Sequence, residues 1–164
     1  MDWYPWVVLI HIIGAFGFAA AHGVSVFVAF AIRGERDPAR VAALLDLSAA
    51  SIGALYVGLL VLLGGGVAAT FMAGLWGQLW IWAALVILTL TLGAMYPLGS
   101  LHYAEVRHAV GLTAYMDKKD APPPTPLPPD ELAALLSSPR PFILAGIGGV
   151  GFLVILWLMV VKPF

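Results

Sequence analysis

The chain contains no cysteine, which rules out disulfides, thiolate metal sites and cysteine nucleophiles. Charge is scarce. Asp, Glu, Lys and Arg make up 10% of the 164 residues, where a soluble domain carries about a quarter. No charged residue falls between Asp46 and Glu105, so the apolar segments there offer no carboxylate as a proton carrier for an ion-coupled transporter. They also lack the several facing carboxylates of a di-iron bundle. A phosphate-cradling glycine loop, an HExxH motif and a serine–histidine–acid set are missing as well, and no enzymatic chemistry is expected. A net charge of -1 provides no electrostatic footprint for nucleic acid. The opening residues, MDWYPW, lack the basic region of a cleavable signal. The apolar run that follows is too long for one, so it is expected to be retained.

What the chain has in abundance is hydrocarbon. It is 62% hydrophobic, with a mean hydropathy of +0.97, the composition of an integral membrane protein. About 20 largely apolar residues cross a hydrocarbon core of about 30 Å, and four segments qualify: roughly residues 4–32, 47–72, 78–101 and 142–161. The predicted fold is all-α, a four-helix membrane bundle forming one transmembrane domain over residues 1–164. The tight break AGLWGQLW predicts an antiparallel hairpin of the second and third spans. Arg33, Arg36 and Arg40 lie between spans one and two, and Arg107, Lys118, Lys119 and Arg140 between spans three and four. Lys162 alone falls on the other side. The positive-inside bias therefore puts both charged loops in the cytoplasm and both termini outside, with Trp3, Trp6, Trp76, Trp80 and Trp82 forming an outer aromatic belt.

The cytoplasmic loop 117–140 turns from charged to proline-rich, KKDAPPPTPLPPDELAALLSSPRP. The proline run favours extended polyproline II and serves as a semi-rigid spacer, with docking of a proline-reading partner as the alternative. Asp130 is placed to cap a short amphipathic helix, ELAALLSS. Small residues every fourth position, Ala15-Ala19-Gly23, Ala50-Ala54-Gly58 and Ala145-Gly149, predict close helix packing. Gly64, Gly65 and Gly66 are expected to loosen span two, and Pro97 to kink span three.

Two histidines interrupt LIHIIGAFGFAAAHG. His11 and His22 are three helical turns plus about 20° apart, on one stripe about 16 Å long. Gly14, Ala15, Phe18, Ser25 and Ala29 share that stripe, which is expected to face the bundle interior. A polar seam in span three, Thr89, Gly93, Tyr96 and Ser100, is expected to face it and satisfy an imidazole. Each histidine either hydrogen-bonds across helices or ligates a cofactor. In the ligating reading His22, His102 and His11 are the candidate ligands of haem b or another porphyrin-type pigment. His11 and His22 are candidate copper ligands together with methionines such as Met95. In HYAEVRH, Glu105 stands three residues from both His102 and His108, and a local interfacial pairing is expected.

The stretch LIHIIGAFGFAAAHG, the basic loop with DPARVAALLDLS and the ending LWLMVVKPF together resemble a family of bacterial four-helix integral-membrane proteins of unknown function. That family is distantly similar to the membrane domain of copper-resistance D-type proteins. His11 and Gly14 match its first-span pattern, whereas Phe16-Gly17-Phe18 replaces the family's tryptophan segment. The resemblance implies a multi-pass protein of the bacterial cytoplasmic membrane and no defined activity. The sequence as a whole points to a non-enzymatic accessory or assembly subunit of an electron-transfer or energy-coupling complex, with the lipid bilayer and other membrane subunits as partners. A haem- or pigment-binding electron-transfer protein and a copper-handling protein are the alternatives.

Overall fold

A computed structural model describes residues 2–120 and 122–164, all helix, turn or coil with no strand among them. Six α-helices follow in order: α1 (Tyr4–Ala31), α2 (Pro38–Met72), α3 (Leu79–Met95), α4 (Leu101–Ala109), α5 (Pro129–Leu136) and α6 (Arg140–Val161). Four stretches are long and apolar enough to cross a membrane, Tyr4–Gly34, Pro38–Met72, Leu79–Ala109 and Pro129–Val161. Their outward faces carry large apolar side chains such as Phe16, Leu60, Leu90 and Val160, as hydrocarbon surroundings require.

Helix boundaries follow local chemistry. α2 begins well ahead of the apolar run because Pro38 takes the first turn and the Asp37 carboxylate accepts from the Ala39 amide at 3.0 Å, an N-cap with a proline start. Between α3 and α4, Pro97 sits in one wider π-helical turn, Tyr96–Ser100. The missing proline amide is absorbed there and the helix continues. Gly74 leaves α2 in the left-handed conformation, φ +64, which lets the chain reverse into α3. Asp130 does not cap α5: Pro128 holds that position, and Asp130 and Glu131 lie inside the first turn, where they complement the helix dipole.

Lateral packing differs from the predicted hairpin. α1 packs most closely on α2, and α3 on α6. α2 and α3 are joined by a tight turn but do not pack along their lengths. The reason is the distribution of glycine. A Cβ on Gly58 would stand 2.5 Å from the Phe18 nitrogen, and one on Gly65 2.9 Å from the His11 Cα, while Gly14 packs directly on the Leu62 backbone. Backbone-to-backbone approach of this kind drives helix association in lipid. The triple glycine of α2 therefore leaves the helix unbroken and admits α1.

Each end of the molecule carries its own core. At the charged end Val28, Ile32, Val41, Leu45, Val106, Ala109, Leu132 and Leu136 converge from α1, α2, α4 and α5. At the opposite end Trp80, Ile81, Ala84 and Leu158 pack together, with Trp76 against them. Trp80 thus belongs to a core, while Trp3, Trp6 and Trp82 face outward. The proline segment is docked rather than free. The Leu127 amide donates to the Ala109 carbonyl at 2.9 Å. Gly111, at φ +80, leaves room for Pro126, which a Cβ would meet at 3.1 Å.

Candidate functional site

The α1 stripe faces other helices. Gly14 and Ala29 are buried, and His11, Ala15, Phe18, His22 and Ser25 are half-buried. The hydroxyl of Ser48 on α2 donates to that of Ser25 at 2.9 Å. The two histidines of the stripe nevertheless meet different neighbours.

His11 lies in the α1–α2 seam. Its Nδ1 is 2.7 Å from the Leu62 carbonyl oxygen, and its ring fills the space above Gly66, where a Cβ would stand 3.0 Å from the ring atoms. A carbonyl only accepts, so Nδ1 carries the hydrogen of this bond. The sequence pointed to a hydroxyl on span three as the partner; the acceptor is a backbone carbonyl of span two. The predicted polar seam of span three turns away, since Thr89, Gly93, Tyr96 and Ser100 are exposed. Thr89 donates to its own helix at Leu85, and the Tyr96 hydroxyl to the Met116 sulfur at 3.3 Å. The hydroxyl that faces α6 is that of Thr91, packed on Gly151.

His22 lies where α1 meets α6 and α3. Its ring stacks parallel on Phe18 with centroids 5.9 Å apart. Its Nε2 is 4.0 Å from the point where a Cβ of Gly148 would stand, and the Met95 methyl is 3.0 Å from that same point. Gly148 therefore leaves room for an imidazole and a thioether to approach each other. Met95 was among the methionines the sequence offered beside these histidines, whereas Gly148 carried no signal there, since only the assembled helices bring it to His22.

His102 is buried at the charged end, 4% exposed. Its Nδ1 is 3.8 Å from a Glu105 carboxylate oxygen and has no hydrogen-bond partner among the described residues. The Tyr103 ring meets it edge-on at 5.2 Å. Met95 is the third-span residue that stands beside His22, and His102 lies seven residues beyond it, about 10 Å further along the helix. The imidazoles of His22 and His102 thus sit at different depths, and His11 is separate from both. Among the described residues no group of three or more His, Asp or Glu side chains is placed to hold a metal.

His108 takes a partner that the sequence did not suggest. Its Nε2 is 3.0 and 2.9 Å from the two Asp117 carboxylate oxygens, and the Ala114 amide donates to the same carboxylate at 2.7 Å. The Ala114 amide first, and then His108, hold the Asp117 carboxyl below the usual range. Nearby, Arg107 donates to Asp46 at 3.0 Å, tying α4 to α2. Comparison with family models, curated proteins and solved structures finds no match for this chain.

Proposed function

We propose that the chain is a non-enzymatic, multi-pass protein of the bacterial cytoplasmic membrane, an accessory or assembly subunit of a larger electron-transfer or energy-coupling complex. The observation that carries this reading is the pairing of helices. α1 with α2 and α3 with α6 pack closely, while α2 and α3 run free of each other, leaving broad apolar flanks for helices of neighbouring subunits. The basic residues support an orientation with both termini outside, because seven of the eight Lys and Arg residues lie in or beside the α1–α2 and α4–α6 connections. The bilayer and other membrane subunits are its partners.

A second reading is favoured by one juxtaposition, His22 Nε2 and Met95 over Gly148. An imidazole and a thioether suit the iron of haem b, a related porphyrin-type pigment, or Cu(I). In this reading the protein carries electrons or copper, and His11 and His102 serve packing.

One preparation tests both. Isolated from native membranes in mild detergent, the protein is expected to co-purify with other membrane subunits, and a stable lone monomer overturns the first reading. On the same sample, Soret and alpha bands in a reduced-minus-oxidised spectrum, or stoichiometric copper, select the second reading, and the absence of both removes it.

A further inference from the structure

The charged end holds cations without counter-charges. Arg33, just past α1, is fixed in place: its guanidinium donates to the Ser138 carbonyl and lies 4.7 Å over the Phe142 ring. Phe30 in turn holds that ring edge-on at 5.1 Å. The Ser138 hydroxyl accepts from the Arg140 main-chain amide at 3.3 Å, so both arginines meet one serine at the start of α6, Arg33 through its guanidinium and Arg140 through its backbone. Neither guanidinium has a carboxylate partner among the described residues, and that of Arg140 donates to nothing there.

The acidic groups nearby are committed elsewhere. Glu35 accepts from the Arg36 and Asp37 amides and pairs with Arg40. Asp37 caps α2, and Asp46 pairs with Arg107. Glu105 faces His102 at 3.8 Å, and Asp130 and Glu131 occupy the exposed first turn of α5. The first amides of α6 add little, because Pro141 has none and the Phe142 amide donates to Pro139 at 3.0 Å. The spare donors are those of the two side chains.

We propose that Arg33 and Arg140 form a binding site for a phosphate group, that of an anionic phospholipid headgroup, with the exposed Phe142 ring supporting the lipid beside it. Guanidinium forks match phosphate oxygens two at a time. A cation that is already immobilised loses little freedom on binding. The site stands where the apolar α6 begins, so a lipid phosphate reaches it while its acyl chains stay against the helix.

Native mass spectrometry of the full-length protein in detergent, offered equal amounts of phosphatidylglycerol and phosphatidylcholine, tests the proposal. The wild type is expected to retain phosphatidylglycerol preferentially. Arg33→Gln and Arg140→Gln are each expected to weaken that retention about fivefold. Arg40→Gln, at the same end but paired with Glu35, is expected to leave it unchanged. Arg33→Lys keeps the charge without the fork and falls between, which preserves the test if the glutamine variant does not fold. Displacement of the lipid by millimolar inorganic phosphate makes free phosphate the ligand, and persistence of the lipid assigns the headgroup. Equal retention of the two lipids by the wild type, or undiminished preference in both glutamine variants, overturns the proposal.

Discussion

Gly14 and Gly58 set how near α1 and α2 can come, because each faces the other helix's backbone with no side chain between. Adding one methyl at either position forces the pair apart along its tightest stretch. Gly14→Ala and Gly58→Ala are each expected to cost about 1–3 kcal/mol, the usual range for overpacking, measured by denaturant unfolding in detergent. Gly23→Ala, with open space around it, is expected to be silent and serves as the control. The four-residue spacing in the sequence singled out Gly23, Ala50 and Ala54 along with Gly58, yet the first three are exposed. Spacing reveals that a helix has a small-residue stripe. It does not reveal which of two adjoining stripes a tilted partner covers, and here that partner lies over Gly14, Gly58 and Gly65. The interior placement of the His11–His22 stripe was legible because polar side chains avoid hydrocarbon. Their acceptors and neighbours were not, since a backbone carbonyl or a glycine on another helix leaves no mark in the pattern.

The connection between α4 and α5 shows how a segment that looks like a spacer becomes part of the fold. Its proline run forms no helix before Pro129, and Pro128 takes φ -56, ψ 151. Docking adds what composition lacks: the Leu127 amide on Ala109, Pro126 beside Gly111, and α5 inserted in the charged-end core. Asp117 closes the start of this segment on His108 and on the Ala114 amide. Its carboxyl is held below the usual value, so its contribution is complete above the ordinary carboxylate pKa of about 4 and disappears as pH falls through the lowered one. Protection of the Ala114 amide from hydrogen exchange is therefore expected to persist to pH 4 and then fall. In Asp117→Asn the pH step is expected to vanish. An unchanged step in that variant would refute the assignment. The proline of the third span behaved as its chemistry dictates, although as a single widened turn at Tyr96–Ser100 and not as an interruption.

For the assembly of the helices, number and approximate ends were readable from hydrophobic length alone, because only a long apolar helix satisfies its backbone in a bilayer. Neighbour relations were not. A short loop suggests that α2 and α3 lie together, but the closest approach goes to helices that present glycine, and α3 turns instead to α6. The lack of native cysteine makes this directly testable. A short thiol-to-thiol linker is expected to join cysteines placed at Phe30 and Phe142, whose rings touch at 5.1 Å. It is expected to leave cysteines at Leu60 and Leu90, on α2 and α3 at comparable depth, unlinked. The reverse result would restore the hairpin.

One consequence follows from the paired terminal cores. The two cores join different partners: Val28, Val41, Val106 and Leu136 bring α1 and α2 onto α4 and α5 at the charged end, whereas at the other end Trp80, Ile81 and Leu158 belong to α3 and α6, with Trp76 of the turn against them. Between the two cores, the missing side chain of Gly148 leaves room bordered by the Met95 methyl and the His22 imidazole. Loosening the charged-end core therefore parts the two helix couples, whereas loosening the core around Trp80 parts α3 from α6 and leaves the attachment between couples as it is.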